Sequence, residues 1–194
     1  QYGFDNKVFT TIKVTVYTMA GSLLMFVSIM YLGVAYYNEF GVWSFSYDKL
    51  MQITTIPYDI KVWLFLGFLV AFAIKIPIFP LHTWIMETYK NAPTGAVFLL
   101  SSIMAKLGVY AIVRFMIPIF PDIYVEFSTW FVAIGLFGLI YFGIAALMQD
   151  DIKRMFAYSS ASHLSFISAG IFSLNSYGIN GSLYLIIAHA IATG

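Results

Sequence analysis

The sequence predicts an all-α polytopic membrane protein, and three observations carry that expectation. Of 194 residues, 61% are hydrophobic and only 10% charged, where a soluble domain carries about 25% charged residues; the mean hydropathy is +0.86. Residues 14–38 and 127–149 hold no charge at all, and a membrane helix needs about 20 such residues. Charges bracket both runs, Lys13 and Glu39 around the first, Glu126 and Asp150 around the other. The formal charge of +1 argues against nucleic acid as a partner, and lipid is expected around so apolar a chain. Without a cysteine there is neither a disulfide framework nor a thiolate metal site. The chain opens on Gln1 with no signal-like segment and closes at Gly194 inside an apolar run. The expectation is a fragment, residues 1–194, of one longer membrane domain.

Six spans are expected, at about 14–38, 62–84, 93–115, 127–149, 155–174 and 181–194, the last truncated. The turn signal NSYGIN at 175–180 separates the final two. With six spans, Lys7, Lys13, Lys90, Lys153 and Arg154 fall on the N-terminal side, against Lys49, Lys61 and Arg114 on the other. The positive-inside rule makes the N-terminal side cytoplasmic. The connection 39–61, EFGVWSFSYDKLMQITTIPYDIK, suits the interface, where Trp43 and Tyr47 are at home. The string PIFP occurs at 77–80 and 118–121, the second at a span end, which is coincidence and not an internal repeat.

Within this frame the second span is expected to be broken. AFAIKIPIFPLHTW (71–84) carries Lys75, Pro77, Pro80 and His82 in apolar surroundings. Each proline lacks a backbone donor and clashes one turn back, Pro77 with the carbonyl of Ala73 and Pro80 with that of Ile76. Such breaks survive in a membrane only where protein or water satisfies them, and transporters build ion sites there. Lys75 lies roughly 20 Å along a helix from Lys61 and from Glu87, close to the midplane. Lys106, in the third span, is also deep. An intramembrane charge costs at least about 2.5–3.5 kcal/mol, which marks both lysines as candidates for function. Burial and a like charge both work against a charged lysine, so a lysine placed there can release and regain a proton, as a relay requires.

Other polar residues mark a path. Ser102 is one turn from Lys106, Ser159 one turn from His163, and His189 four residues from Thr193. His163 and His189 are candidate proton carriers; Ser162, Ser165 and Ser168 equally suit helix–helix contact. The nine acids, Asp5, Glu39, Asp48, Asp59, Glu87, Asp122, Glu126, Asp150 and Asp151, sit at span ends or in connections. A carboxylate partner for the buried lysines is therefore expected from sequence outside the fragment. No metal site is expected. Asp150 and Asp151 suit the start of the fifth helix and its dipole.

Together AFAIKIPIFPLHTW, NAPTGAVFLLSSIMAKLGVYAIVRFMIPIFP (91–121) and QDDIKRMFAYSSASHLSFISAGIF (149–172) resemble the antiporter-like membrane subunits of respiratory complex I. The likeness covers nearly the whole chain, with YTMAGSLLMF and FGVWSFSYDKL similar to the segments before the core motif. It implies a fourteen-helix protein, of which this is about helices six to eleven. Lys75 matches the family's lysine on a broken seventh helix, Lys106 the protonatable residue of the eighth and His189 the histidine of the eleventh. The glutamate of the fifth helix and the charged residue of the twelfth fall outside both ends. The implied activity is proton translocation within an NADH:quinone oxidoreductase, driven by quinone reduction in neighbouring subunits. Quinone, FMN and iron–sulfur clusters are implied in those partners and no cofactor in this chain. The implied partners are other membrane subunits of the complex, especially antiporter-like neighbours, in a bacterial cytoplasmic or mitochondrial inner membrane. One loop departs: the family's Leu-Pro-Asp-Ala-His after the tryptophan is replaced by Ile-Met-Glu-Thr-Tyr, leaving Glu87 as its acid.

Three alternatives stand beside this reading. One is the core of a multisubunit sodium/proton antiporter or an ion-pumping membrane hydrogenase. The second is a haem carrier using His163 and His189, and the third is a structural scaffold indifferent to loss of Lys75 or Lys106.

Overall fold

The computed structural model describes residues 6–193, so Asp5 and the last residue of the expected sixth span, Gly194, lie outside the described residues. Every regular element among them is helical. In chain order these are α1 (Lys7–Phe40), α2 (Tyr47–Leu50), α3 (Tyr58–Lys75), α4 (Thr83–Asn91), α5 (Thr94–Leu99), α6 (Ala105–Ala111), α7 (Ile117–Ile119), α8 (Pro121–Leu147), α9 (Ile152–Ile171) and α10 (Ser176–Thr193). Two π-helical segments, Leu100–Met104 and Ile112–Met116, join α5, α6 and α7 into one continuous run. Three helices among the described residues are long and apolar enough to cross a membrane: Lys7–Phe40, Thr94–Ile119 and Pro121–Leu147. α9 is less apolar because its serines, His163, Lys153 and Arg154 interrupt the apolar pattern.

Several boundaries differ from those expected. α1 begins at Lys7, seven residues before the expected span, because nothing in KVFTTIK breaks a helix. It ends at Gly41, whose φ of 73° suits a residue without a Cβ and whose N–H returns to the Tyr37 carbonyl at 2.8 Å. In the second expected span, 62–84, α3 ends at Lys75, turns follow, and α4 runs from Thr83 past the expected end at Trp84 to Asn91. NSYGIN is mostly the first turn of α10 and not a loop. The Asn175 side-chain oxygen accepts from the Gly178 N–H at 2.6 Å, the bond an N-cap makes.

α3 is apolar all round and lies at the centre, with Phe65, Phe68, Phe72 and Ile76 buried. Phe65 meets Phe120 edge-on at 6.1 Å and Phe131 at 6.1 Å, joining α3 to the start of α8. Glycines set how closely the helices approach. A Cβ at Gly67 would collide with the Ser28 hydroxyl of α1, and one at Gly135 would sit 2.9 Å from the Ser165 carbonyl of α9. In membranes, helix pairs are held by such small-residue contacts, since apolar burial does not distinguish a neighbour from lipid. Ser162 donates to the Leu139 carbonyl at 2.8 Å and Ser168 to the Ser165 carbonyl at 2.8 Å, so both spend their hydroxyls on backbone.

The connection between α1 and α3 is ordered by its own polar groups. Glu39 accepts from the Thr54 hydroxyl at 2.8 Å and the Thr55 hydroxyl at 3.0 Å. Tyr47 donates to the Arg114 carbonyl at 2.7 Å, and the Arg114 guanidinium lies 5.0 Å from the Tyr47 ring centre.

Gly135→Leu is expected to force α8 off the α9 backbone and to destabilise the pair by roughly 1–3 kcal/mol or more, as overpacking does. Thermal unfolding of the purified parent protein in detergent checks this, with Leu136→Ala on the exposed face of α8 leaving the midpoint nearly unchanged.

Candidate functional site

The residues of interest lie where α3 stops and where the run 94–119 loses α-helical regularity. At the end of α3 the Ala73 carbonyl freed by Pro77 does not remain open, nor does that of Ile74 beside it. Ile78 N–H donates to the Ala73 carbonyl at 3.0 Å, and the Trp84 indole N–H reaches back from α4 to the Ile74 carbonyl at 3.0 Å. Trp84 is almost fully buried and bridges the two sides of the turns. Lys75 is half-buried there, with no hydrogen-bond partner or carboxylate among the described residues. His82 is buried among Phe79, Tyr141 and Phe142, its Nδ1 unpartnered.

Lys106 occupies the stretch between the two π-helical segments and is 7% exposed. Its Nζ lies 2.8 Å from His189 Nδ1 of α10 and also donates to the Ser101 carbonyl. Ser101 belongs to the first π segment, and π turns of this kind cluster at functional sites. The register change brings Ser101, not the expected Ser102, to the lysine; Ser102 donates to Phe98 at 2.7 Å instead. Ser101 also donates to the Thr193 carbonyl at 3.1 Å. Thr193 in turn donates to the His189 carbonyl at 2.7 Å and lies 3.4 Å from His189 Nδ1.

His189 is buried, and its Nε2 has no partner. The His163 ring stands 5.2 Å from it at 66°, with His163 itself exposed on the outer face of the chain. Two imidazoles in such contact leave no slot for a macrocycle between them, which counts against the haem reading. Among the described residues no three His, Asp or Glu side chains converge as a metal site needs. Lys106 thus bonds to His189, and the His189 ring in turn stands against that of His163. Lys75 is near but separate: a Cβ on Gly108 would lie 3.1 Å from the Lys75 Cβ, so the two elements touch through carbon. The chemistry open to the Lys106–His189 pair is proton exchange, because an amine and an imidazole share a single hydrogen bond within one buried contact.

On the side where Lys90 and Lys153 lie, Arg154 pairs with Glu87 at 2.7 Å and Lys153 donates to the Ala92 carbonyl at 3.2 Å. These bonds tie α4 and the connection after it to the start of α9. Glu87, the acid of the departing loop, is therefore a structural partner of Arg154.

A family model described as "NADH:quinone oxidoreductase/Mrp antiporter, TM" matches residues 3–194. The chain belongs to this family. Within it, the chain is 34% identical over 186 residues to NADH-quinone oxidoreductase subunit M of Escherichia coli (strain K12), covering 96% of this chain and 36% of that protein. It is also 34% identical over 190 residues to subunit M of Pseudomonas aeruginosa, covering 98% and 37%. With NAD(P)H-quinone oxidoreductase chain 4, chloroplastic, of Hordeum vulgare it shares 34% over 188 residues, covering 97% and 37%. The fold matches a chain in the structure of respiratory complex I from Thermus thermophilus with bound NADH, at a TM-score of 0.84 and 28% identity. That match covers 99% of this chain and 40% of the other. This family member thus spans a little over a third of the length of the curated relatives it matches.

Trp84→Phe keeps the ring's bulk and removes the indole donor, leaving the Ile74 carbonyl buried and unpaired. The expected cost is about 1–3 kcal/mol, read as a lower unfolding midpoint of the purified parent protein.

Proposed function

We propose that this chain is part of a proton-translocating membrane subunit of an NADH:quinone oxidoreductase, holding no redox centre of its own. It would span a bacterial cytoplasmic or mitochondrial inner membrane six times, the second span discontinuous at Pro77 and Pro80. In this reading Lys106, His189 and His163 pass the proton from one to the next. Lys75, across the Gly108 contact, is a further protonatable residue of the proposed path. Quinone reduction in neighbouring subunits drives the transfer, and antiporter-like subunits flank this one. FMN and iron–sulfur clusters belong to those partners.

The observation that supports this best is the buried Lys106–His189 contact at 2.8 Å, made without any carboxylate among the described residues. A structural lysine would be expected to end on an acid or in solvent. A charge-carrying one gains from a partner that can itself accept the proton. The relatives, subunits of NADH-quinone oxidoreductases, favour the oxidoreductase over a stand-alone sodium/proton antiporter, although the family covers both.

Lys106→Ala and His189→Asn in the assembled parent complex are the test. Both are expected to abolish proton translocation by this subunit and to slow coupled quinone reduction while assembly persists. His189→Asn is the sharper variant, because asparagine retains a hydrogen-bonding group beside Lys106 but cannot carry a proton. Normal pumping in both would overturn the relay.

A further inference from the structure

The continuous run 94–119 turns its small residues inward and its large ones outward. Gly108 is buried against α3, where a Cβ would lie 2.8 Å from the Ile76 side chain, and Ala105 is buried as well. On the outer face Ile103, Leu107 and Tyr110 are 53%, 55% and 55% exposed. Arg114, one turn further on, is exposed too. Helices that meet in a membrane do so through small residues, so a face of large side chains suits acyl chains better than another helix. From Arg114 back to Ile103 the run measures roughly 16 Å at the helical rise. That is close to one leaflet of a hydrocarbon core about 30 Å thick. The stripe thus reaches from headgroup level to the midplane.

Arg114 stands at the end of this stripe, laid on an aromatic ring. Its guanidinium lies 5.0 Å from the Tyr47 ring centre, and the Tyr47 hydroxyl donates to the Arg114 carbonyl at 2.7 Å, so ring and backbone fix each other. Phe115 meets Tyr47 edge-on at 5.5 Å and Tyr110 edge-on at 6.2 Å, which ties the ring to the stripe. A guanidinium offers five N–H donors in one plane. Among the described residues none of those on Arg114 is hydrogen-bonded or ion-paired, and Asp48, beside Tyr47 in the chain, does not pair with it. A planar cation stacked on a ring, with its donors unspent, can take a phosphate bidentately. We infer that Arg114 on its Tyr47 platform binds the phosphate of an anionic glycerophospholipid, one acyl chain of which lies along Tyr110, Leu107 and Ile103. A zwitterionic headgroup brings an ammonium that this uncompensated cation repels. The site uses neither Lys106 nor His189 and stands whatever carries the proton.

Photochemical labelling tests this. The assembled parent complex is placed in phosphatidylcholine vesicles holding a trace of phosphatidylglycerol with a diazirine on one acyl chain, or of phosphatidylcholine with the same chain. After illumination the labelled residues are located by peptide mass spectrometry. Phosphatidylglycerol is expected to label the stretch 103–110 several-fold more than phosphatidylcholine does. The outer face of α1, where Leu23, Phe26 and Val27 are exposed, is expected to take both probes equally. Arg114→Gln removes the charge and leaves the Tyr47 bond, which is made to backbone; it is expected to abolish the preference at 103–110. Tyr47→Leu keeps the charge but removes the platform, and is expected to weaken the preference. Equal labelling of 103–110 by the two probes, or an unchanged preference in either variant, would overturn the site. So would a stripe that takes no label from either probe, because another part of the parent complex then covers it.

Discussion

A lysine among apolar helices must find its hydrogen-bond partners within a few ångströms, because no solvent is at hand to supply them. Lys106 finds two, the Ser101 carbonyl and His189 Nδ1, and much of the surrounding architecture follows from that requirement. The π-helical segment before it turns Ser101 toward the ammonium. α10 lies close enough for His189 to reach it because Ser182 of α10 donates to the Ile167 carbonyl of α9 at 2.9 Å and Gly170 leaves room for that approach. α9 is in turn fixed on α8 by Gly135, Gly138 and the serines that face them. The close packing of small residues thus keeps the distance between one amine and one imidazole.

Much of this was legible in the residues themselves. Composition and the uncharged runs announced membrane helices. The depth of Lys106 and its position in the family motif marked it, and the same resemblance marked His189. Their direct contact was not legible, because no spacing rule relates residues 83 positions apart. Nor were the π segments, since LSSIM and IVRFM contain nothing that distinguishes a five-residue return from a four-residue one. That is why helical spacing pointed to Ser102 while the widened turn delivers Ser101. The Ala73 carbonyl freed by Pro77 was foreseen, but not that the Ile78 N–H would take it or that the Trp84 indole would take the Ile74 carbonyl beside it; an indole so near a break is the one signal that could have been read. The serines of α9 were ambiguous by type, and packing decided Ser162 and Ser168 in favour of backbone contacts.

The end of the molecule bearing Lys90 and Lys153 is built differently from the other. There, charged side chains bind backbone and one another, Arg154 with Glu87 and Lys153 with Ala92, beside a cavity of about 590 Å³. At the opposite end Glu39 and Tyr47 consume their polar atoms locally, on Thr54, Thr55 and the Arg114 carbonyl.

α1 adds a mechanical consequence. Its uncharged stretch, 14–38, measures about 37 Å along the axis, whereas a hydrocarbon core is about 30 Å thick. The helix must lean or gather thicker lipid around itself. Because Gly21 and Gly67 lock α1 against α3 with almost no clearance, that lean is passed to the rod that ends at Lys75. The acyl-chain length of the surrounding lipid thereby bears on how α3, and the break that follows it, lie in the bilayer.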